Sequence, residues 1–253
     1  MTNNVNADKV SALLKERYYQ NVQLTELREG RDKDVYAAKL ADGREFVALI
    51  NKKNTLMRRY RTMLSNDFQK NLYRKGVNVP DVLDLFELDN GIIVACHTYI
   101  RGRQIEKLDN KTAWQCGRIV AQMHKSVMSG ENYCGGYSLK YKICGVVKFF
   151  TNRIRLLKDI ITDCKILKFP NGLCHRDLNL SNFIFTDNGV CLIDFDRHRL
   201  WPFVYEIKRF LKSEDNCEYA VDFLKGYQSI RQLTQKERQY LSERGFTGLG
   251  RCG

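Results

Sequence analysis

Cys174-His175-Arg176-Asp177-Leu178-Asn179-Leu180-Ser181-Asn182 opens the stretch that decides how this chain is read, and it runs on to Ile193-Asp194-Phe195-Asp196. The pattern is H-x-D-x-x-x-x-N, then two β-rich runs, 182–185 and 190–193, around a Thr186-Asp187-Asn188-Gly189 turn, then a second acidic element. Two short antiparallel strands bring their distal ends together, so Asp177 and Asn182 are expected to face Asp194. One carboxylate for an acceptor hydroxyl, with amide and carboxylate oxygens for a hard cation, is a donor set suited to phosphoryl transfer with Mg²⁺. An isolated H-x-D is usually a hydrogen-bonded loop; the full spacing followed by I-D-F-D is what makes the signal specific.

Around this stretch lie 253 residues, 43% of them hydrophobic, with only 3 prolines, which is enough apolar material for a large packed core. Collagen, coiled coil and wholesale disorder are excluded. At this length one core is near its ceiling, so one large domain or two lobes sharing a cleft are expected. Lys and Arg number 42 against 29 Asp and Glu, a formal charge of +13, which favours anionic partners. Nothing resembles a nucleic-acid module, so no nucleic acid is expected as partner. The nine cysteines are scattered with no C-x-x-C spacing, which indicates free thiols in a reducing compartment and argues against disulfides or zinc. The polar start MTNNVNADK lacks the apolar core of a secretory signal, and no apolar run reaches the roughly 18 residues of a membrane span.

The texture changes along the chain. Residues 22–29, 35–40 and 45–50 read as strands, the last two joined by Ala41-Asp42-Gly43-Arg44. Residues 54–75 read as a helix with Leu56, Tyr60, Leu64, Phe68 and Leu72 four apart and Gly76 as its stop. Strand-like runs at 82–88 and 91–96 follow. Beyond residue 110 helices dominate, at 111–127, 141–167, 203–212 and from 218 onward, and 245–253 reads as a frayed tail. The expected fold class is α+β, with a small antiparallel-sheet lobe over residues 1–98 and a mainly helical lobe over 99–253.

With these segments in place the chain resembles the protein-kinase-like superfamily, in the branch of the aminoglycoside phosphotransferases, choline kinases and lipopolysaccharide core kinases. Residues 92–102, Ile-Ile-Val-Ala-Cys-His-Thr-Tyr-Ile-Arg-Gly, look like the hinge strand whose backbone holds adenine, and 116–124 resemble the helix ending in Leu-His of the small-molecule kinases. Ile193-Asp194-Phe195-Asp196-Arg197 with Trp201, then residues 207–213, look most like the Kdo and heptose kinases of lipopolysaccharide, although Tyr205-Glu206 stands where that pattern has Asn-Leu. The resemblance covers roughly residues 22–215.

The resemblance implies an ATP- and Mg²⁺-dependent kinase. Asp177 would be catalytic, Asn182 and Asp194 would hold the metal, and Asp196 would orient Asp194 or hold a second ion. Gly30, Arg31, Lys52, His97 and Tyr99 would meet the nucleotide. Residues 29–36 occupy the place of the phosphate-covering loop but carry one glycine, and an ordinary polar hairpin turn reads equally well there. Leu49 stands where the family has its third-strand lysine, so either Lys52 or Lys53 takes that role or the lysine is absent; Asp67 is the one acidic residue of the 54–75 helix. His175 reads as scaffold for the loop, and His97, His124 and His198 show no metal-ligand spacing. The implied acceptor is a sugar or glycolipid, foremost in lipopolysaccharide core. An amino sugar, choline-like alcohol or protein acceptor is the first alternative, and a pseudokinase module the second. The basic stretch 52–61 and the expected helix at 141–168 are readable as solvated faces, or as peripheral contacts with the inner membrane face of a cytoplasmic protein.

Overall fold

A computed structural model describes residues 7–30, 32–52, 54–88, 91–127, 169–212 and 214–246. The expected helix at 141–167 lies outside them. The chain divides into two compact units, Met1–Gly102 and Arg103–Gly253.

The first unit is an antiparallel sheet flanked by helices. Strands β1 (Val22–Arg28), β2 (Lys33–Leu40), β3 (Glu45–Asn51), β4 (Val82–Glu87) and β5 (Ile93–Thr98) lie in the order β1-β2-β3-β5-β4. Alternation sets the register: in β2 and β3 the buried residues Tyr36, Ala38, Leu40, Phe46, Ala48 and Ile50 fall on one face. Helix α1 (Ala7–Tyr18), which the sequence reading did not anticipate, covers that face with Val10 and Leu14. Its signal is slight because Val10, Leu13, Leu14 and Tyr18 are the apolar stripe of an otherwise polar segment. Helix α2 (Leu56–Arg74) starts on Thr55, whose hydroxyl accepts from the Arg58 amide. It ends as the sequence indicated, at Gly76: with φ of +76°, that residue lets its own amide reach the Tyr73 carbonyl and the Val77 amide reach Leu72.

The second unit is mostly helical. Helix α3 (Asn110–Ser126) begins with a capping box between Asp109 and Thr112. Three short antiparallel strands, β6 (Arg103–Gln104), β8 (Phe183–Thr186) and β9 (Gly189–Leu192), form the expected hairpin with one added edge. Strand β7 (Asn171–Cys174) pairs with β10 (Arg199–Pro202), a ladder absent from the sequence reading. Helix α4 (Phe203–Leu211) has its apolar face buried through Phe203, Val204, Ile207, Phe210 and Leu211. A short helix α5 (Glu214–Cys217) follows, and the helix expected from residue 218 is instead broken into α6 (Ala220–Gln228) and α7 (Gln235–Ser242), the last restarted by a Thr234–Glu237 capping box.

Helices α3 and α6 cross through two glycines. A Cβ on Gly226 would run into the Trp114 carbonyl, and one on Gly117 into the Phe223 carbonyl; both obstacles are rigid backbone. Gly226→Ala is therefore expected to destabilise the fold by about 3 kcal/mol, at the upper end of overpacking effects. Urea unfolding checks this, and a loss below about 0.5 kcal/mol would mean the helices can separate freely.

Candidate active site

Strand β7 delivers the chain into the H-x-D loop. His175 is fully buried and its Nε2 lies 2.8 Å from the Ile193 carbonyl, which can only accept, so Nε2 carries the proton. Nδ1 then accepts from the Asp177 amide at 3.3 Å, while the ring packs 4.7 Å from that of Phe195. One imidazole thus clamps the Asp177 loop to the end of β9. Asn182 closes the other side: its Nδ2 donates to the Asp177 carbonyl at 2.8 Å, and its own carbonyl accepts from the Ile193 amide at 3.0 Å. The hairpin register, Phe183 opposite Leu192, brings these ends together.

Three non-glycine residues among those described have positive φ, and two are here: Arg176 at +70° and Asp194 at +66°. Such backbone costs of order 1–3 kcal/mol each and persists only where the surroundings hold it. At Arg176 the holder is Glu206 of α4. Its carboxylate accepts from the Arg176 amide and, at 3.3 Å, from the His175 amide. It also accepts from His124 Nε2 at 2.8 Å, from the far end of α3. His124 Nδ1 accepts in turn from the Tyr227 hydroxyl at 2.8 Å, and that oxygen accepts from Arg231 at 3.0 Å. Arg231 is itself paired with buried Glu237 at 3.0 Å.

Charge in this buried chain is settled by its donors. Burial pushes the His124 pKa down, overriding its Glu206 neighbour, so the imidazole is neutral. Burial works against the Glu206 charge too, yet the hydrogen bonds from His124 and the Arg176 amide leave it below the usual carboxylate range. Glu206 is the functional residue that sequence reasoning missed. Cys174 Sγ, 3.9 Å from His124 Nε2, completes a buried His124-Cys174-Glu206 cluster, but Nε2 carries its proton, the carboxylate accepts from two amides, and the thiol donates to the Trp201 carbonyl at 3.3 Å.

The expected site residues are placed as follows. Asp177 is half-buried with Oδ2 3.6 Å from Arg197 Nε, a cation not singled out from sequence. Asn182 is buried and oriented by its bond to the Asp177 carbonyl, and Asp194 begins the 3₁₀ turn that follows β9. The oxygens of Asn182 and Asp194 are hard donors. Both nitrogens of the neighbouring His175 are already engaged, so the donor set fits Mg²⁺ better than a soft metal.

In the first unit, the Gly30 amide donates to Asp34 at 3.3 Å, and a Cβ there would strike the Lys33 carbonyl, so the turn needs glycine. Arg31 lies outside the described residues. Lys52 follows β3 directly, with Nζ 3.0 Å from Glu29 and 3.1 Å from Asp34, which ties it to the Gly30 turn. Leu49 is half-buried in β3, and the strand end is tied to α2 by Asn51, whose Nδ2 donates to Thr62 Oγ1 at 2.9 Å and whose Oδ1 accepts from Arg58 Nε at 3.2 Å. The His97 side chain is buried between Asn66, at 2.6 Å, and Gln69, at 3.2 Å, so a nucleotide role for it would rest on backbone alone. Tyr99 is half-buried just past β5.

The second unit also holds a cavity of about 300 Å³ lined by Arg176, Trp201, Tyr205, Lys208, Arg209, Lys212 and Tyr240. The Arg176 guanidinium stacks 3.9 Å from the Trp201 ring centre.

Residues 142–240 match the model of the phosphotransferase enzyme family APH. No curated protein matches the chain by sequence. Among solved structures, an amicoumacin kinase with AMP-PNP and Ca²⁺ is similar at TM-score 0.64 and 16% identity, covering 95% of this chain and 86% of that one. Spectinomycin phosphotransferase APH(9)-Ia with ADP gives 0.60 and 15%, covering 96% and 94%. The gentamicin complex of APH(2″)-IIa gives 0.61 and 19%, covering 96% and 86%. The fold is therefore the protein-kinase-like fold of these phosphotransferases, and together with the family match over the H-x-D loop it supports a kinase.

Acid should weaken this anchor. Below the ordinary histidine pKa of about 6.5 the unfolded chain binds a proton that buried His124 refuses, so stability falls with pH by up to about 1.4 kcal/mol per unit. The lowered Glu206 adds its own loss only as pH drops through the carboxylate range. Urea unfolding at pH 7.5 and 5.5 is expected to show a smaller difference in His124→Gln than in the native chain; equal differences would mean that His124 is not the refusing group.

Proposed function

We propose that the chain is an ATP- and Mg²⁺-dependent phosphotransferase that phosphorylates a sugar hydroxyl, foremost one in a lipopolysaccharide core. The observation that carries the reading is the double clamp on the catalytic loop, His175 to Ile193 and Asn182 to Asp177, which ties together the three oxygen-bearing residues a kinase needs. Asp177 orients the acceptor hydroxyl and takes its proton as the oxygen attacks the γ-phosphorus in line; the new O–P bond replaces the bond to the β-phosphate, and ADP leaves. Arg197, 3.6 Å away, steadies the carboxylate before attack. Asn182 and Asp194 would hold the Mg²⁺, which would supply neutralisation of phosphate charge.

A glycolipid acceptor calls for peripheral contact with the inner membrane face of a cytoplasmic enzyme, and no helix among the described residues is long and apolar enough to cross a membrane. Within 52–61, Lys52 is engaged inside the fold with Asp34 and Arg58 with Asn51, and Arg59 pairs with exposed Glu87, so exposed Arg61 is the better membrane-facing candidate of that stretch. The names of the similar structures favour a second reading, an amino-sugar antibiotic as acceptor. Leu49 in the place of a third-strand lysine, with the single glycine of residues 29–36, favours a third, a nucleotide-binding module without turnover.

Labelled ATP offered with core sugars, aminoglycosides and choline separates the three readings by where, and whether, phosphate appears. Asp177→Ala is expected to lower turnover by about 10²- to 10⁴-fold, roughly 3–5 kcal/mol of barrier, with the fold intact. Turnover within threefold of the native chain would remove Asp177 from the role.

A further inference from the structure

The cavity beside Arg176 is not used by the residues assigned to phosphoryl transfer. Four of its lining side chains are cationic, three are aromatic and none is acidic. Like charges gathered on one open, shallow surface repel one another, and a bound anion relieves that repulsion. Arg176 is the most committed of them. Its strained backbone is held by Glu206, its guanidinium is stacked on Trp201, and burial, helped by nearby Arg209, lowers its pKa despite Glu206. Lys208 in the last turn of α4 and Lys212, the residue that caps its end, are four residues apart, with Arg209 beside them. Guanidinium groups grip phosphate or carboxylate oxygens in pairs, and Trp201, Tyr205 and Tyr240, with Arg176 already over Trp201 and Arg244 over Tyr240, leave an apolar wall against which a sugar ring can pack.

We propose that this cavity binds the non-reacting phosphate or carboxylate group of an acidic sugar acceptor, with the sugar ring against the aromatic wall. The word acceptor rests on the kinase reading; the anion site does not. Arg176 and Asp177 are consecutive, with Cα atoms about 3.8 Å apart, so the cavity adjoins the H-x-D loop; Asp177 does not itself line it, and the acceptor must be long enough to reach from one to the other. The same four cations repel polycationic amino sugars, which gives the site a means of choosing between acidic and basic acceptors.

Calorimetric titration of the full chain with glucose 1-phosphate, inorganic phosphate and glucose tests the proposal. Glucose 1-phosphate is expected to bind at least tenfold more tightly than glucose, and more tightly than inorganic phosphate. Replacing the exposed pair, Arg209→Ala with Lys212→Ala, should weaken it tenfold or more, and Trp201→Ala should bring it level with inorganic phosphate. Binding unchanged in the paired variant, or in the milder Arg209→Gln with Lys212→Gln, would overturn the anion site. Equal binding of phosphate and sugar phosphate by the native chain would overturn the sugar wall. Pocket-dependent binding without turnover on any acceptor would sink the kinase reading and leave the site standing; turnover with an acceptor KM indifferent to the paired variant would do the reverse.

Discussion

The buried carboxylate of Glu206 anchors the start of the H-x-D loop, on the side opposite the His175 and Asn182 clamps. Taking a carboxylate out of water costs several kcal/mol unless its oxygens are satisfied, and here they are met by two consecutive backbone amides and an imidazole. In exchange the chain keeps Arg176 in a backbone conformation that it would otherwise leave, and this sets the direction in which Asp177 follows. Because His124 comes from α3 and Tyr227 from α6, the helix pair that crosses through Gly117 and Gly226 is built into the same anchor. The loop is precise because the packing around it cannot relax.

Helix α4 therefore has two duties. Its buried side contributes Glu206 to the loop, and its last turn and cap contribute Lys208, Arg209 and Lys212 to the basic cavity. An anion in that cavity would pull on Arg176, one residue from Asp177, so acceptor recognition and loop geometry would share one mechanical element. The strongly positive charge of the chain, which by itself selects no partner, acquires a location in this way.

The clamp was legible because its parts are local: histidine, aspartate, asparagine and the hairpin between them lie within twenty residues, and turn chemistry fixes how they meet. Glu206 was not legible, because its partners His124 and His175 are 82 and 31 residues away and nothing near Tyr205-Glu206 announces them. The β7–β10 ladder was hidden for the same reason, its strands being separated by the whole hairpin. The Thr234–Glu237 box, by contrast, was written in the sequence and would have predicted the break before α7. In the first unit, the alternation of β2 and β3 was readable. That Lys52 turns toward Glu29 and Asp34, and not along α2, depends on where a strand ends, the feature a sequence defines least sharply.

Hydrogen exchange at the backbone amides of His175 and Arg176, followed by NMR in the native chain and in Glu206→Gln, tests the anchor directly. The account predicts strong protection of both amides in the native chain and its loss in the variant, with ATP turnover falling in parallel while the helical content is retained. Protection that survives unchanged in Glu206→Gln would show that the loop is held by something else, and the account of the site would fail with it.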